Sequence, residues 1–122
     1  MRLEELLAEL VRRSMGELER VVVATQDGVA VAASNPSELD DLVAALGAAI
    51  VAGCDEAFKQ NFSTGVSEVM VELEDERRVL FRGLGDKILC LVTRRDPNLG
   101  LVYYLLDKYS SELAKAGEEG EG

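Results

Sequence analysis

Apolar residues at the start of the chain recur at the three-and-four spacing of a helix. In RLEELLAELVRR, Leu3, Leu6, Leu7, Leu10 and Val11 fall on one face and charge on the other. Past Gly16 the period shortens, and ERVVVATQDGVAVAAS reads as two β-rich runs around Asp27-Gly28, a dipeptide suited to a tight hairpin because both residues tolerate positive φ. Ser34-Asn35-Pro36-Ser37-Glu38 then leads into a long helix predicted to reach about Phe62, with Asn35 as cap and Pro36 at the first helical position. After Gly65, VSEVMVEL alternates: Val69, Val71 and Leu73 face one way, Glu68, Met70 and Glu72 the other, as in a half-buried strand. Glu74-Asp75-Glu76 turns the chain, Arg77 to Arg82 forms a fourth strand, and Gly83-Leu84-Gly85-Asp86 turns it again. The nearly unbroken apolar run of KILCLVTRR predicts a central fifth strand. Asp96-Pro97 repeats the cap-then-proline pattern and opens a last helix with Leu99, Val102, Tyr103, Leu106 and Leu113 inward. Residues 1–116 are expected to form a single domain, and the tail GEEGEG, 117–122, to stay disordered. This order of elements predicts an α+β fold, one antiparallel sheet with helices on both faces.

The long helix poses a question of its own. Leu42 to Cys54, LVAALGAAIVAGC, carries no charge, yet it falls well short of the roughly 20 apolar residues that span a bilayer. A helical wheel separates two apolar strips. Leu39, Leu42, Val43, Leu46, Ile50 and Ala57 form a bulky stripe, expected to lie on the protein's own sheet. Ala44, Gly47, Ala48, Val51, Phe58 and Phe62 form a second strip, mostly small in its first half, expected to receive a partner helix across the two-fold axis of a homodimer. Asp41, Asp55 and Lys59 occupy the remainder.

Composition removes function classes. The chain has 122 residues, the size of one domain with a proper core, and 23 Asp plus Glu against 13 Lys plus Arg, for a net charge of -10. Nucleic acid and anionic membranes favour the opposite sign, so neither is an expected partner. The first helix is amphipathic and acidic rather than a secretory signal, which predicts a cytoplasmic protein. Cys54 and Cys90 lie in apolar runs and are expected to be buried and reduced. Histidine is absent, so the commonest general base and metal ligand is missing, and no Gly-x-Ser-x-Gly elbow is present. Gly83-Leu84-Gly85-Asp86 lacks the Gly-Lys-Ser/Thr ending of a phosphate loop, and the acidic groups lack the spacing of a calcium loop. No catalytic residue, cofactor-binding residue or metal ligand is therefore nominated, and no cofactor is expected. Arg94-Arg95, beside a helix N-terminus, is the one pair suited to act as an arginine finger toward a nucleotide.

VVVATQDGVAVAAS, the alanine-rich helix after it, LFRGLGDKILCLVTRRDPNLG and the closing helix together resemble the roadblock family, named for a dynein light chain and widespread in bacteria and archaea. The likeness spans Leu3 to Leu113, and its most specific parts are the Asp27-Gly28 hairpin and Asn98-Leu99-Gly100. It implies a five-stranded antiparallel sheet in order 2-1-5-4-3, roadblock/profilin-like, with the long helix on one face and the terminal helices on the other. It also implies homodimers, or heterodimers with a paralogue, joined through the long helix and third strand. Members of the family are dimeric platforms rather than enzymes; they bind and regulate Ras-like small GTPases, some of them stimulating hydrolysis, so a prokaryotic regulator of this kind is expected, with Arg94 and Arg95 as GTPase contacts. The alternative is a small-molecule sensor of PAS-like architecture. That reading needs a polar-lined cavity, whereas the inward-facing positions here are aliphatic.

Overall fold

The computed structural model describes residues 2–119. Two strands set the plan: β1 (Leu18–Thr25) and β5 (Lys87–Thr93) are almost continuously apolar, and both are buried on both faces. They pair antiparallel at the middle of a five-stranded sheet of order β2-β1-β5-β4-β3, completed by β2 (Ala30–Ala33), β3 (Glu68–Glu72) and β4 (Arg78–Leu84). Helices α1 (Leu3–Arg13) and α3 (Leu99–Glu119) cover one face, and α2 (Leu39–Phe62) covers the other. Alternation along each strand divides the core accordingly. Val21, Val23, Leu80, Leu89 and Leu91 meet Leu6, Leu7, Leu10, Val102 and Leu106, whereas Val22, Phe81 and Cys90 belong to the cluster under α2. The predicted strand order, the central place of the fifth strand and the division of helices between the faces are all present.

Local chemistry departs from expectation at the turns and caps. The first hairpin is not a two-residue turn on Asp27-Gly28. Thr25 N–H donates to Val29 O at 2.8 Å and Gly28 N–H to Thr25 O at 3.1 Å, leaving a loop of residues 26–28 in which only Gly28 has positive φ, +90°. The β3–β4 hairpin repeats this geometry, with Leu73 N–H donating to Arg77 O at 2.8 Å and Glu76 N–H to Leu73 O at 3.0 Å, but Glu76 now holds the positive φ, 73°. A glutamate there carries a steric cost that the glycine avoids. Nor do Asn35 and Asp96 cap the helices that follow them. Ser37 Oγ accepts from Leu39 N–H at 3.1 Å while Asp40 Oδ2 accepts from Ser37 N–H at 2.8 Å, a reciprocal capping box at the start of α2. At α3 the cap is Asn98, whose Oδ1 accepts from Leu101 N–H at 3.1 Å. Helix α3 runs to Glu119, into the stretch 117–122 expected to be disordered, and Gly117 is buried beside Leu84; residues 120–122 lie outside the described residues.

In its first half α2 is turned relative to the wheel reading. Ala44 is fully buried and Gly47 buried against the sheet, while Leu39, Leu42 and Leu46 of the bulky stripe are 53%, 62% and 54% exposed. Closeness explains the difference. A Cβ on Gly47 would stand 2.9 Å from Cys90 Sγ and 3.2 Å from Phe81 Cδ1, so only a residue with no side chain fits under the helix axis. Small residues pack inward because α2 lies tight on Phe81, and the large ones are left facing out. Gly53, by contrast, has open space around its Cβ position. Gly47→Ala should therefore destabilise the domain by about 1–3 kcal/mol through overpacking. Gly53→Ala should stabilise it by up to about 1 kcal/mol through helix propensity. Urea unfolding of both variants checks the pair, and equal effects would contradict the packing described.

Candidate functional site

With its inner face committed to the sheet, α2 presents an outer apolar line at alternating four- and three-residue steps: Leu39, Val43, Leu46, Ile50, Gly53, Ala57. That spacing forms the seam of helix pairs. Leu39 and Leu46 stand proud, while Val43 and Ile50 are half-buried where they reach the cluster beneath α2. Of the partner-helix residues nominated from sequence, Ala44 and Gly47 are spent on the protein's own core, and Ala48 and Val51 are half-buried, Val51 packing on the core beneath α2. Phe58 and Phe62 do face solvent, at 46% and 67% exposure, stacked on each other with ring centroids 5.5 Å apart. Leu39, Leu42 and Leu46, assigned to the core by pattern, are the surface residues of α2 that sequence reasoning missed. The signal that marks them is Gly47 within the alanine-rich run Ala44 to Ala49, since a glycine inside a helix can mark a close approach.

Both ends of α2 are fixed. At the start, buried Asp40 accepts from Arg20 Nη1 at 2.8 Å, and the same nitrogen donates to Asn35 O at 2.8 Å, tying the β2–α2 loop to β1. Toward the end, Asp55 Oδ1 accepts from Val66 N–H at 2.9 Å and Oδ2 pairs with Lys59 at 2.8 Å. The hydrogen bond with Lys59, more than any other influence, holds the Asp55 carboxyl below its ordinary range, and the same contact raises Lys59. Next to the helix, β3 is an edge of the sheet. Its Glu68 binds Arg82 at 2.8 Å and accepts from Tyr103 O–H at 2.7 Å, joining β3 and β4 to α3. Burial first, and then that bond to Glu68, pushes the Tyr103 hydroxyl up to about 12.

Arg94 and Arg95 lie at the other nominated site, where β5 leads into α3. Arg94 Nη1 is 3.3 Å from Glu17 Oε2, and Oε1 of that buried glutamate accepts from Asn98 N–H at 2.6 Å. Glu17 therefore anchors both the arginine and the start of α3. Arg95 is 75% exposed, with Nε 3.8 Å from Asp75, whose carboxyl is held below its ordinary range by backbone donation from Arg77 and by the Arg77 and Arg95 charges. Arg94 is thus braced in place, whereas Arg95 is the freer of the two. The arginines and the α2 seam belong to different elements, and nothing in the structure brings them into contact.

Among the described residues no group of three or more His, Cys, Asp or Glu could hold a metal ion, and no helix is long and apolar enough to cross a membrane. Cys90 is fully buried and burial pushes its thiol up to about 12, but Cys54 is half-buried rather than buried as expected, and both are free thiols. Iodoacetamide at pH 8 should therefore leave Cys90 unmodified in the folded protein and alkylate it only after denaturation; mass mapping that finds native Cys90 labelled would contradict the packing under α2.

Neither a protein-family model nor a curated protein sequence matches the chain. Its fold is that of Roadblock/LC7 domain proteins and MglB. The chain superimposes on a Roadblock/LC7 domain from Streptomyces avermitilis with a TM-score of 0.80 and 20% identity, over 98% of this chain and 97% of the other. It matches MglB of Myxococcus xanthus with a TM-score of 0.82 and 18% identity, over 97% of this chain and 89% of the other. Profilin IA of Acanthamoeba castellanii shares the wider architecture, with a TM-score of 0.61 and 15% identity, over 93% of this chain and 98% of the other.

Proposed function

We propose that this protein is a non-enzymatic regulator of a Ras-like small GTPase, and that it works as a dimer whose two α2 helices pack across a two-fold axis beside the free edges of β3. The observation that carries the dimer is the outer line of α2, where exposed Leu39 and Leu46 alternate with half-buried Val43 and Ile50. Each leucine transferred from water into such a seam contributes about 1.5–3 kcal/mol. An antiparallel arrangement is isologous, so every contact from one residue of the line to another is repeated by symmetry in the opposite sense. Phe58 and Phe62 extend the apolar surface at the far end of the helix. The regulatory part of the reading is supported by the sequence resemblance to the roadblock family and by the full-length likeness to MglB and Roadblock/LC7 domains. Absence of histidine is consistent with a partner that supplies the chemistry itself.

Leu46→Glu is the direct test of the seam, because Leu46 touches solvent in the monomer and the variant leaves the core intact. Sedimentation velocity at micromolar concentration should show a dimer for the parent and a folded monomer for the variant, since an unpaired buried carboxylate costs several kcal/mol. Val51→Glu is less informative because Val51 packs on the core beneath α2. An unchanged dimer in Leu46→Glu would place the seam elsewhere.

The dimer should bind small GTPases of its source organism more tightly with GTP than with GDP, because the γ-phosphate and Mg²⁺ order the switch loops a regulator touches. Arg94→Ala with Arg95→Ala then separates two modes of action. Loss of stimulated hydrolysis with binding retained identifies a finger, and retained stimulation identifies positioning of the GTPase's own residues. Equal capture of both nucleotide states, or none of either, would remove the GTPase from this reading.

A further inference from the structure

On the flank of α2 away from the leucine seam, a cleft of about 540 Å³ lies between the second half of the helix and residues of the β1–β2 turn, the loop before β3 and the β4–β5 hairpin. Among its mostly polar lining, Val51 and Val66 contribute half-buried apolar side chains, and Ile88 lies buried against it. One rim is helical and carries Asp55, Glu56 and Lys59. The opposite wall is backbone at Gly83 and Gly85, neither of which has an atom within 4 Å of its Cβ position, so a ligand can approach the main chain closely there. We propose that this cleft receives a lysine or arginine side chain presented by a protein partner. The inference rests on the reading that the chain works by docking a protein, and it names the chemistry of that contact.

A long cationic side chain has an apolar stem and a charged tip, and it settles where an apolar surface ends at a carboxylate. The cleft supplies both, with Val51 and Val66 for the stem and Glu56 at the rim for the tip. The electrostatics have the matching sign. From Glu38 to Phe62 the charged residues are Glu38, Asp40, Asp41, Asp55, Glu56 and Lys59, so the first and only cation appears at the cleft itself. Lys59 is taken up by Asp55 at 2.8 Å and Asp40 by Arg20 at 2.8 Å. Glu56 is exposed and, among the described residues, forms no ion pair and one long hydrogen bond, accepting from the Gln60 amide at 3.5 Å. The intramolecular Lys59–Asp55 pair already shows an ammonium held at this rim. The rim residues 52, 55, 56 and 59 follow a different line of the helix from the seam residues 39, 43, 46, 50, 53 and 57.

The test is a titration of the ¹⁵N-labelled full chain with the blocked tripeptide acetyl-Leu-Arg-Leu-amide, with acetyl-Leu-Gln-Leu-amide as neutral control. Saturable shifts are expected at Gln26, Val66, Gly83 and Gly85 with the arginine peptide alone. Glu56→Gln should weaken its apparent affinity about two- to fivefold, the scale of an exposed ion pair. Glu74→Gln, an equally acidic position on the β3–β4 turn, should change nothing. Shifts scattered over all acidic surfaces, no saturable shift, or a Glu56→Gln variant that titrates like the parent would overturn the proposal. The peptide measurement is independent of any GTPase, so a failure of GTPase capture with the cleft response intact would reject the identity of the partner and leave the site standing.

Discussion

Everything on the α2 side of the molecule depends on how near that helix comes to the sheet. Phe81 and Cys90 fill the space under its axis so completely that position 47 has no room for a methyl group. Contact at that distance requires alanine and glycine on the inner face, and a chain with a fixed apolar content must then place its leucines outward. Apolar burial stabilises the domain only to the extent that side chains fit the space between layers, and close packing makes that a matter of tenths of an ångström. The exposed line of Leu39 and Leu46 is thus the counterpart of a thin inner face rather than a separate device.

Electrostatic anchors keep the closely packed layers in register. Asp40 and Glu17 are buried carboxylates at the starts of α2 and of β1, and each is bound by an arginine together with a backbone amide. Asp40 joins Arg20 of β1 to the first turn of α2, and Glu17 joins Arg94 to the first turn of α3. Each carboxylate also lies near a helix N-terminus, where the helix dipole favours negative charge. Removing one partner would strand the other in a desolvated place, which is why such pairs fix geometry more reliably than they add stability.

The architecture was legible because strand alternation and apolar continuity survive tertiary context. KILCLVT could hardly be other than a central strand, and Leu3, Leu6, Leu7 and Leu10 mark one helical face without ambiguity. The face of α2 was not legible, because hydropathy ranks a leucine stripe above an alanine stripe while the sheet accepts whichever face fits. Both caps were misplaced by two residues for a related reason. Asn35 and Asp96 are competent caps, but Ser37 with Asp40, and Asn98, stand where the amides are. The cleft beside the second half of α2 joins residues of the helix, the β1–β2 turn, the loop before β3 and the β4–β5 hairpin, which no local pattern in the sequence brings together.

The tight fit at position 47 also constrains how this sequence can drift. Gly47, Phe81 and Cys90 come from a helix and two adjacent strands, far apart in the chain, yet a gain of volume at any one must be met by a loss at another. Substitutions at these positions are consequently epistatic: a larger residue at 47 becomes tolerable only after 81 or 90 has shrunk, whereas the reverse order passes through an overpacked intermediate. Three residues that look unrelated in the sequence thus form a single evolutionary unit, and the order in which they change is set by the size of a methyl group.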